Sequence, residues 1–238
     1  MNQVVLLTGA GSGIGKAIAA VLAAPDTELW LVGRVREKLE SVAEIVRKTA
    51  ADVCCIPADL ACDGDVASLG ERLRQDVGYV DLLIHCAGEI VLGPLESAAI
   101  ADLDRQYRIN VRAPYLLTQT LLPMLRSRRG QIVFINSSSG QLAGANVSQY
   151  AATKHALRAI ADSLRQEVNA DGIRVLSVYP GRTASPMQAA VHAMAGKNYR
   201  PDQLMQPEDV AAVVANALGL PRSAEVTDIH VRPFLKTQ

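Results

Sequence analysis

Short apolar runs alternate with longer stretches in which apolar residues recur every three or four positions. Residues 4–8, 28–33, 53–57, 80–85, 131–137 and 173–179 are each short, rich in Val, Ile and Leu, and bounded by turn residues. Such runs predict strands buried on both faces. Residues 227–232 form a less apolar run, predicting a last strand nearer an edge. Helical spacing fills the intervals. Residues 13–24 are Ala-rich, and residues 35–50 align Leu39, Val42, Ala43 and Val46 with charges between them. Residues 63–77 and 102–128 follow, and residues 149–169 align Ala156, Ala159, Ile160 and Leu164. The segment 207–218 opens on Pro207, near a first turn where a missing N–H is harmless. This alternation predicts an α/β fold: right-handed crossovers and about seven parallel strands, with helices on both faces. No internal repeat, low-complexity tract or Pro/Ser-rich linker interrupts it, so one domain over residues 1–238 is expected. The least regular segment is 180–206, with three prolines and two glycines. Within it, residues 182–206 read either as a substrate flap or as an ordinary surface connection.

Composition narrows the function classes. The 238 residues carry 24 basic and 24 acidic side chains, a formal net charge of zero. There is no global field to hold nucleic acid or an anionic membrane. One Trp, six Tyr and two Phe are too few for a base-stacking platform. At 49% hydrophobic, the chain is not disordered. No run of about 18 uncharged apolar residues predicts a membrane span. No signal-peptide pattern opens the sequence, so a cytoplasmic protein is expected. Cys54, Cys55, Cys62 and Cys86 lack a C-x-x-C spacing; they read as reduced thiols, and no metal site is expected.

The first chemical signal is Thr8-Gly9-Ala10-Gly11-Ser12-Gly13-Ile14-Gly15, between the first strand and the first helix. A helix N-terminus offers free N–H groups and a positive dipole end to a pyrophosphate. Glycines let the backbone turn tightly and approach the ligand. The spacing is T-G-x-x-x-G-x-G, because Ile14 stands where the commoner dinucleotide fingerprint has its last glycine. Gly33, twenty residues after Gly13, ends the second strand where an acid would take the ribose hydroxyls of NAD. The chain has Gly33-Arg34-Val35-Arg36 instead, so nothing there repels a 2′-phosphate and Arg34 can bind it. NADP (NADPH) is therefore the expected cofactor. Solvated arginines at a helix start are the competing reading of Arg34 and Arg36. Ser12 offers a further hydroxyl to the phosphate.

Further along come Ser137-Ser138-Ser139-Gly140, Tyr150-Ala151-Ala152-Thr153-Lys154 and Pro180-Gly181. With residues 8–15, this set resembles the short-chain dehydrogenase/reductase family over essentially the whole chain. The resemblance implies a Rossmann-type doubly wound sheet and an oxidoreductase acting on a small-molecule carbonyl or alcohol. It also implies a homodimer or homotetramer, built through the helices at 102–128 and 149–169.

Tyr150 and Lys154 are four residues apart, so a helix stacks them on one face. A free phenol, with pKa about 10, is a poor proton donor at neutral pH, and a nearby ammonium favours phenolate. Lowering it by about three units takes about 4 kcal/mol, which Lys154, the oxidised nicotinamide's charge and partial desolvation would supply together. Tyr150 is thus the expected acid in reduction and base in oxidation. By resemblance, Lys154 also binds the nicotinamide ribose. Family spacing selects Ser137, thirteen residues before Tyr150, to orient the substrate oxygen; Ser139 could share that role. Asn110 matches the family's active-site asparagine in a proton relay from Lys154 through water. Pro114, four residues on, cannot donate to the Asn110 carbonyl, which predicts a helix kink there. An ordinary proline kink with a structural Asn110 is the alternative.

Asp59 and Leu60 resemble the family's adenine-contacting pair, with a turn cap as the competing role for Asp59. His85-Cys86-Ala87-Gly88 stands where the family has N-N-A-G; Ala87 and Gly88 still match, while both asparagines are replaced. After Pro180-Gly181, Thr183 and Ser185 fill positions near the carboxamide, Ser185 in place of the usual threonine. Pocket candidates are Glu89, Ile90, Gln141, Leu142, Asn146, Met187, His192 and Met194. A noncatalytic NADP-binding regulator on the same fold is the alternative from another class.

Overall fold

Every residue of β1 (Gln3–Thr8) after Gln3 is buried. Val4 and Leu6 enter one apolar cluster and Val5 and Leu7 another, following the two-residue period of a strand. A strand of this kind belongs in the middle of a sheet covered on both sides. The computed structural model, which describes residues 2–234, places it there.

The other strands are β2 (Thr27–Gly33), β3 (Asp52–Pro57), β4 (Leu82–His85), β5 (Gln131–Ile135), β6 (Arg174–Pro180) and β7 (Asp228–Val231). Their order is β3-β2-β1-β4-β5-β6-β7, with every neighbouring pair parallel. The less apolar β7 lies at an edge, as its sequence implied. One face is covered by α1 (Gly13–Leu22), α2 (Arg36–Val46) and α8 (Pro207–Leu218), which bring Ile18, Leu39, Val42 and Val214 against Val5 and Leu7. The other carries α3 (Asp63–Asp76), α5 (Ala113–Arg128) and α6 (Ser148–Val168), with Leu69, Leu121 and Leu157. Each fully buried Leu contributes about 2 kcal/mol of transfer free energy. The winding reverses at β1, whose neighbours are β2 and β4. In a doubly wound sheet that reversal opens a crevice beyond the carboxyl ends of the strands.

Two stretches differ from expectation. The helix foreseen over 102–128 is α4 (Ile100–Tyr107), a π-helical turn over Arg108–Arg112, and then α5. The N–H of Ala113 bonds to the carbonyl of Arg108, five residues back. Pro114 has no N–H for the Asn110 carbonyl, and the kink foreseen there takes the form of this widened turn. The second difference is α7 (Pro186–Met194), inside the segment expected to be irregular. Ser185 caps it by accepting the Gln188 N–H at 3.1 Å, and Pro186 supplies its first position. A bridge from Thr183 to Met205 ties the ends of this segment together.

The expected domain limits include residue 1 and residues 235–238, which lie outside the described residues. Among the described residues, no helix is long and apolar enough to cross a membrane, and no cluster of His, Cys, Asp and Glu could hold a metal.

Candidate active site

A cleft of about 480 Å³ opens at the carboxyl ends of the central strands. Gly9, Ser12, Gly13, Ile14, Gly15, Arg34, Asp59, Leu60, Ala87 and Gly88 line it, as do Ser137, Tyr150, Lys154, Pro180, Gly181, Thr183 and Ser185. Every position expected to touch a cofactor therefore faces one cavity. Asn110 does not line it; it is fully buried behind the wall.

The glycine turn forms the floor. The N-terminus of α1 faces the cleft with no acidic residue in its first turn, and the Ser12 side chain makes no capping bond. Gly9 has φ +70°, and a Cβ there would lie 2.6 Å from the Ala87 nitrogen. A Cβ on Gly15 would fall 2.2 Å from the Gly9 carbonyl oxygen. Side chains are excluded at both positions, so the turn is a bare cradle that packs closely on the β4 loop and leaves the α1 N-terminus, whose first N–H groups have no intrahelical partner, facing the cleft. Thr8, which sequence reasoning left out of the site, closes the cradle. Its Oγ1 accepts the N–H groups of Cys86 and Ala87 at 3.1 and 3.2 Å and donates to the Ile84 carbonyl at 3.3 Å.

At one end of the cleft Arg34 is exposed, and Lys38 in the first turn of α2 also lines the wall. Arg34 Nη1 lies 3.9 Å from Glu89 Oε2. Asp59 lines the cleft and also forms the turn weighed for it, its Oδ1 accepting the Ala61 N–H at 3.0 Å.

His85 and Cys86 diverge, as neighbours on a strand must. His85 is buried, stacks on Phe134, and its Nε2 lies 2.8 Å from Thr118 Oγ1 on α5. Burial pushes its pKa down to about 3. Cys86 lines the cleft; burial pushes its thiol up to about 12, against the pull of the Lys154 charge.

The hydroxyl-bearing end is assembled by Asn136, a residue that sequence reasoning missed. Asn136 follows β5, and its Oδ1 accepts the Ser137 N–H at 2.9 Å, which ends the strand before residues 136–137. Its Nδ2 donates to the Lys154 carbonyl at 3.2 Å. One amide thus fixes Ser137 relative to α6. A Cβ on Gly140 would come within 2.6 Å of that amide oxygen, so the loop must be bare there. Ser137 Oγ accepts the Ser139 N–H at 3.1 Å, which casts Ser139 as a support through its backbone.

Tyr150 and Lys154 both lie on α6, buried at the cleft wall. Lys154 Nζ is 5.8 Å from the Tyr150 ring centroid and donates to the Ile135 carbonyl at 3.1 Å. Burial pushes the phenol up to about 12, while hydrogen bonding with Ser137 pulls it back. Burial pushes the ammonium down to about 8. In the protein alone, burial therefore sets the direction of the phenol's shift, and the expected lowering requires the added charge of the oxidised nicotinamide.

Asn110 reaches forward from the π turn. Its Oδ1 accepts the Glu89 N–H at 2.9 Å, and its Nδ2 donates to the Glu89 carbonyl at 2.8 Å and to Thr153 Oγ1 at 3.0 Å. Of the other pocket candidates, Ile90 and Met187 line the cleft, joined by Leu92, Val147, Gln188 and Val191. Gln141, Leu142, Asn146, His192 and Met194 do not; Leu142 is 82% exposed. Glu89 turns instead toward Arg34 and Arg105.

Residues 3–196 match the family model described as short chain dehydrogenase. An uncharacterized oxidoreductase of Staphylococcus aureus (strain USA300) is 31% identical over 233 residues, covering 98% of this chain and 97% of its own. A metagenomic short-chain oxidoreductase solved in complex with NADP superposes with a TM-score of 0.83 at 29% identity, covering 98% of each chain. Levodione reductase superposes with a TM-score of 0.83 at 27% identity, over 96% of this chain and 95% of its own.

Proposed function

The chain belongs to the short-chain dehydrogenase family, and we propose that it is an NADP(H)-dependent oxidoreductase acting on a carbonyl or secondary alcohol of a small molecule. The observation that carries this reading is the meeting of Ser137, Tyr150 and Lys154 in the same cleft as the bare glycine cradle and Arg34. The cradle fits a dinucleotide diphosphate. Arg34 and Lys38 at one end, with Gly33 in place of an acid, suit a 2′-phosphate. The NADP held by the similar metagenomic oxidoreductase lends this support.

Bound there, the nicotinamide cofactor supplies or takes up the hydride. The chain positions and protonates. The Ser137 hydroxyl holds the substrate oxygen next to the Tyr150 phenol. In reduction Tyr150 gives its proton to that oxygen; in oxidation it takes the proton back. Lys154 keeps a positive charge near the phenol and favours its anion. Asn110 holds the wall at Glu89 through its side chain, while its carbonyl lacks the N–H that Pro114 would otherwise donate. That carbonyl is the acceptor for a relay water. Ile90, Leu92, Val147, Met187 and Val191 exclude bulk water around the reacting atoms. Met187 and Val191 come from α7, which supports reading residues 182–206 as a substrate flap of a single domain. Exposed Ile100, Tyr107 and Tyr115 on α4 and α5 support a homo-oligomer through those helices.

The test is NADPH consumption across a panel of aldehydes, ketones, diketones and sugar-like carbonyls. Turnover of at least one class is expected. Tight NADPH binding with no turnover on any of them would contradict the enzymatic reading.

A further inference from the structure

We infer that Glu89 is a specificity-determining residue that weakens the hold on a 2′-phosphate, and that Arg105 on α4 offsets it. This rests on the NADP reading above. Glu89 sits between two arginines. Arg105 Nε donates to both of its carboxylate oxygens, at 2.9 and 3.1 Å. Arg34 approaches only through Nη1, at 3.9 Å. Arg105 is therefore the firm partner and Arg34 the loose one.

The loose pair matters because Arg34 is the cation proposed to take the 2′-phosphate at the cleft. Its side chain is 57% exposed, against 23% for Glu89. An exposed ion pair at this distance is weak and readily exchanged. A phosphate can take over the Arg34 fork, since planar bidentate pairing with an oxyanion is the stronger arrangement. The carboxylate does not leave when this happens. Asn110 clamps the Glu89 backbone on both sides, and Arg105 holds its side chain. Phosphate and carboxylate are then left around one guanidinium, and like charges repel.

Arg105 determines how much of that repulsion is felt. Its charge cancels that of Glu89, and the carboxylate in turn raises the Arg105 pKa. A cofactor without the 2′-phosphate puts no anion at this point. The pair Glu89–Arg105 therefore acts on NADPH and leaves NADH nearly untouched.

The experiment measures dissociation constants of NADPH and NADH for wild type, Glu89→Gln, Arg105→Gln, the double variant and Arg34→Ala. Glu89→Gln keeps the shape and an oxygen for Arg105 but removes the charge. It is expected to tighten NADPH about fivefold, the scale of an exposed charge interaction, with NADH changed less than about twofold. Arg105→Gln should weaken NADPH by a similar factor, and that loss should vanish when Glu89→Gln is also present. Raising the salt should shrink both effects. NADH binding reports that each variant retains a folded site. Equal changes for the two cofactors in Glu89→Gln, or weaker NADPH binding, would overturn the inference. If Arg34→Ala still weakens NADPH selectively in that case, the cofactor reading survives. If Arg34→Ala leaves NADPH binding unchanged, both fall.

Discussion

Asn110 holds Glu89 by both of its backbone groups, accepting the N–H at 2.9 Å and donating to the carbonyl at 2.8 Å. The same amide reaches Thr153 Oγ1 at 3.0 Å, and that hydroxyl donates to the Tyr150 carbonyl at 2.7 Å. One side chain in the π turn therefore braces the β4 loop against the helix that carries Tyr150 and Lys154.

Asn110→Ala deletes all three bonds and leaves their partners without replacements. A cost of about 2–4 kcal/mol is expected, since unsatisfied buried groups bear their full desolvation penalty. Thermal unfolding with and without NADPH checks it. The melting temperature should fall by several degrees, and NADPH should bind more weakly because Gly88 and Glu89 are no longer held. A melting temperature within about one degree of wild type would contradict the brace.

His85 makes the fold sensitive to acid. Burial holds it at about 3, against an ordinary 6.5. Between these values the unfolded chain binds a proton that the folded chain does not. The stability is thus fully present above about pH 6.5 and is lost as pH falls toward 3, at up to about 1.4 kcal/mol per pH unit. Denaturant unfolding across this range should show the slope. His85→Asn, which keeps a polar partner for Thr118, should reduce it by up to about one proton. An unchanged slope would contradict the assignment.

With the role proposed for it, Lys154 sets function against stability. Burial lowers it from 10.5 to about 8, so between those values the unfolded chain binds the extra proton and stability rises with pH. Below pH 8 the folded state bears the full cost of the buried charge, about 3 kcal/mol. Lys154→Met should therefore be at least as stable as wild type at pH 7, despite losing the bond to Ile135, and the gain should shrink toward pH 10. Reductase turnover should fall by at least about a hundredfold. Lower stability at pH 7 would show that the lysine's contacts outweigh its desolvation.

Much of this was legible in one dimension because the signals are local or periodic. The strand runs, the glycine turn after β1 and the Tyr150–Lys154 spacing each need only a few neighbouring residues. What escaped depends on pairs far apart in the chain. Thr8 meets Cys86, and Asn136 meets Lys154, only after β1, β5 and α6 are assembled. Glu89 was read as pocket lining, although the fold sets it between Arg34 and Arg105. The Pro114 kink was foreseeable, but not its π form, which sits where the Asn110 side chain is tied to Glu89 and Thr153. α7 was hidden by the three prolines of residues 180–206, although Ser185-Pro186 is a helix start in its own right. The phenol's burial, which raises its pKa before any cofactor charge is present, was not legible either, because spacing reports the nearby lysine but not the burial.

In the proposed function Tyr150 is the residue on which the chemistry rests, and Tyr150→Phe removes one oxygen from it. NADPH affinity and steady-state turnover should be measured on the same preparation with a carbonyl that wild type reduces. NADPH should bind within a few-fold of wild type while turnover drops by about a hundredfold to ten-thousandfold, the range for loss of a general acid. Undiminished turnover with intact binding would contradict the assignment of Tyr150 as the proton donor.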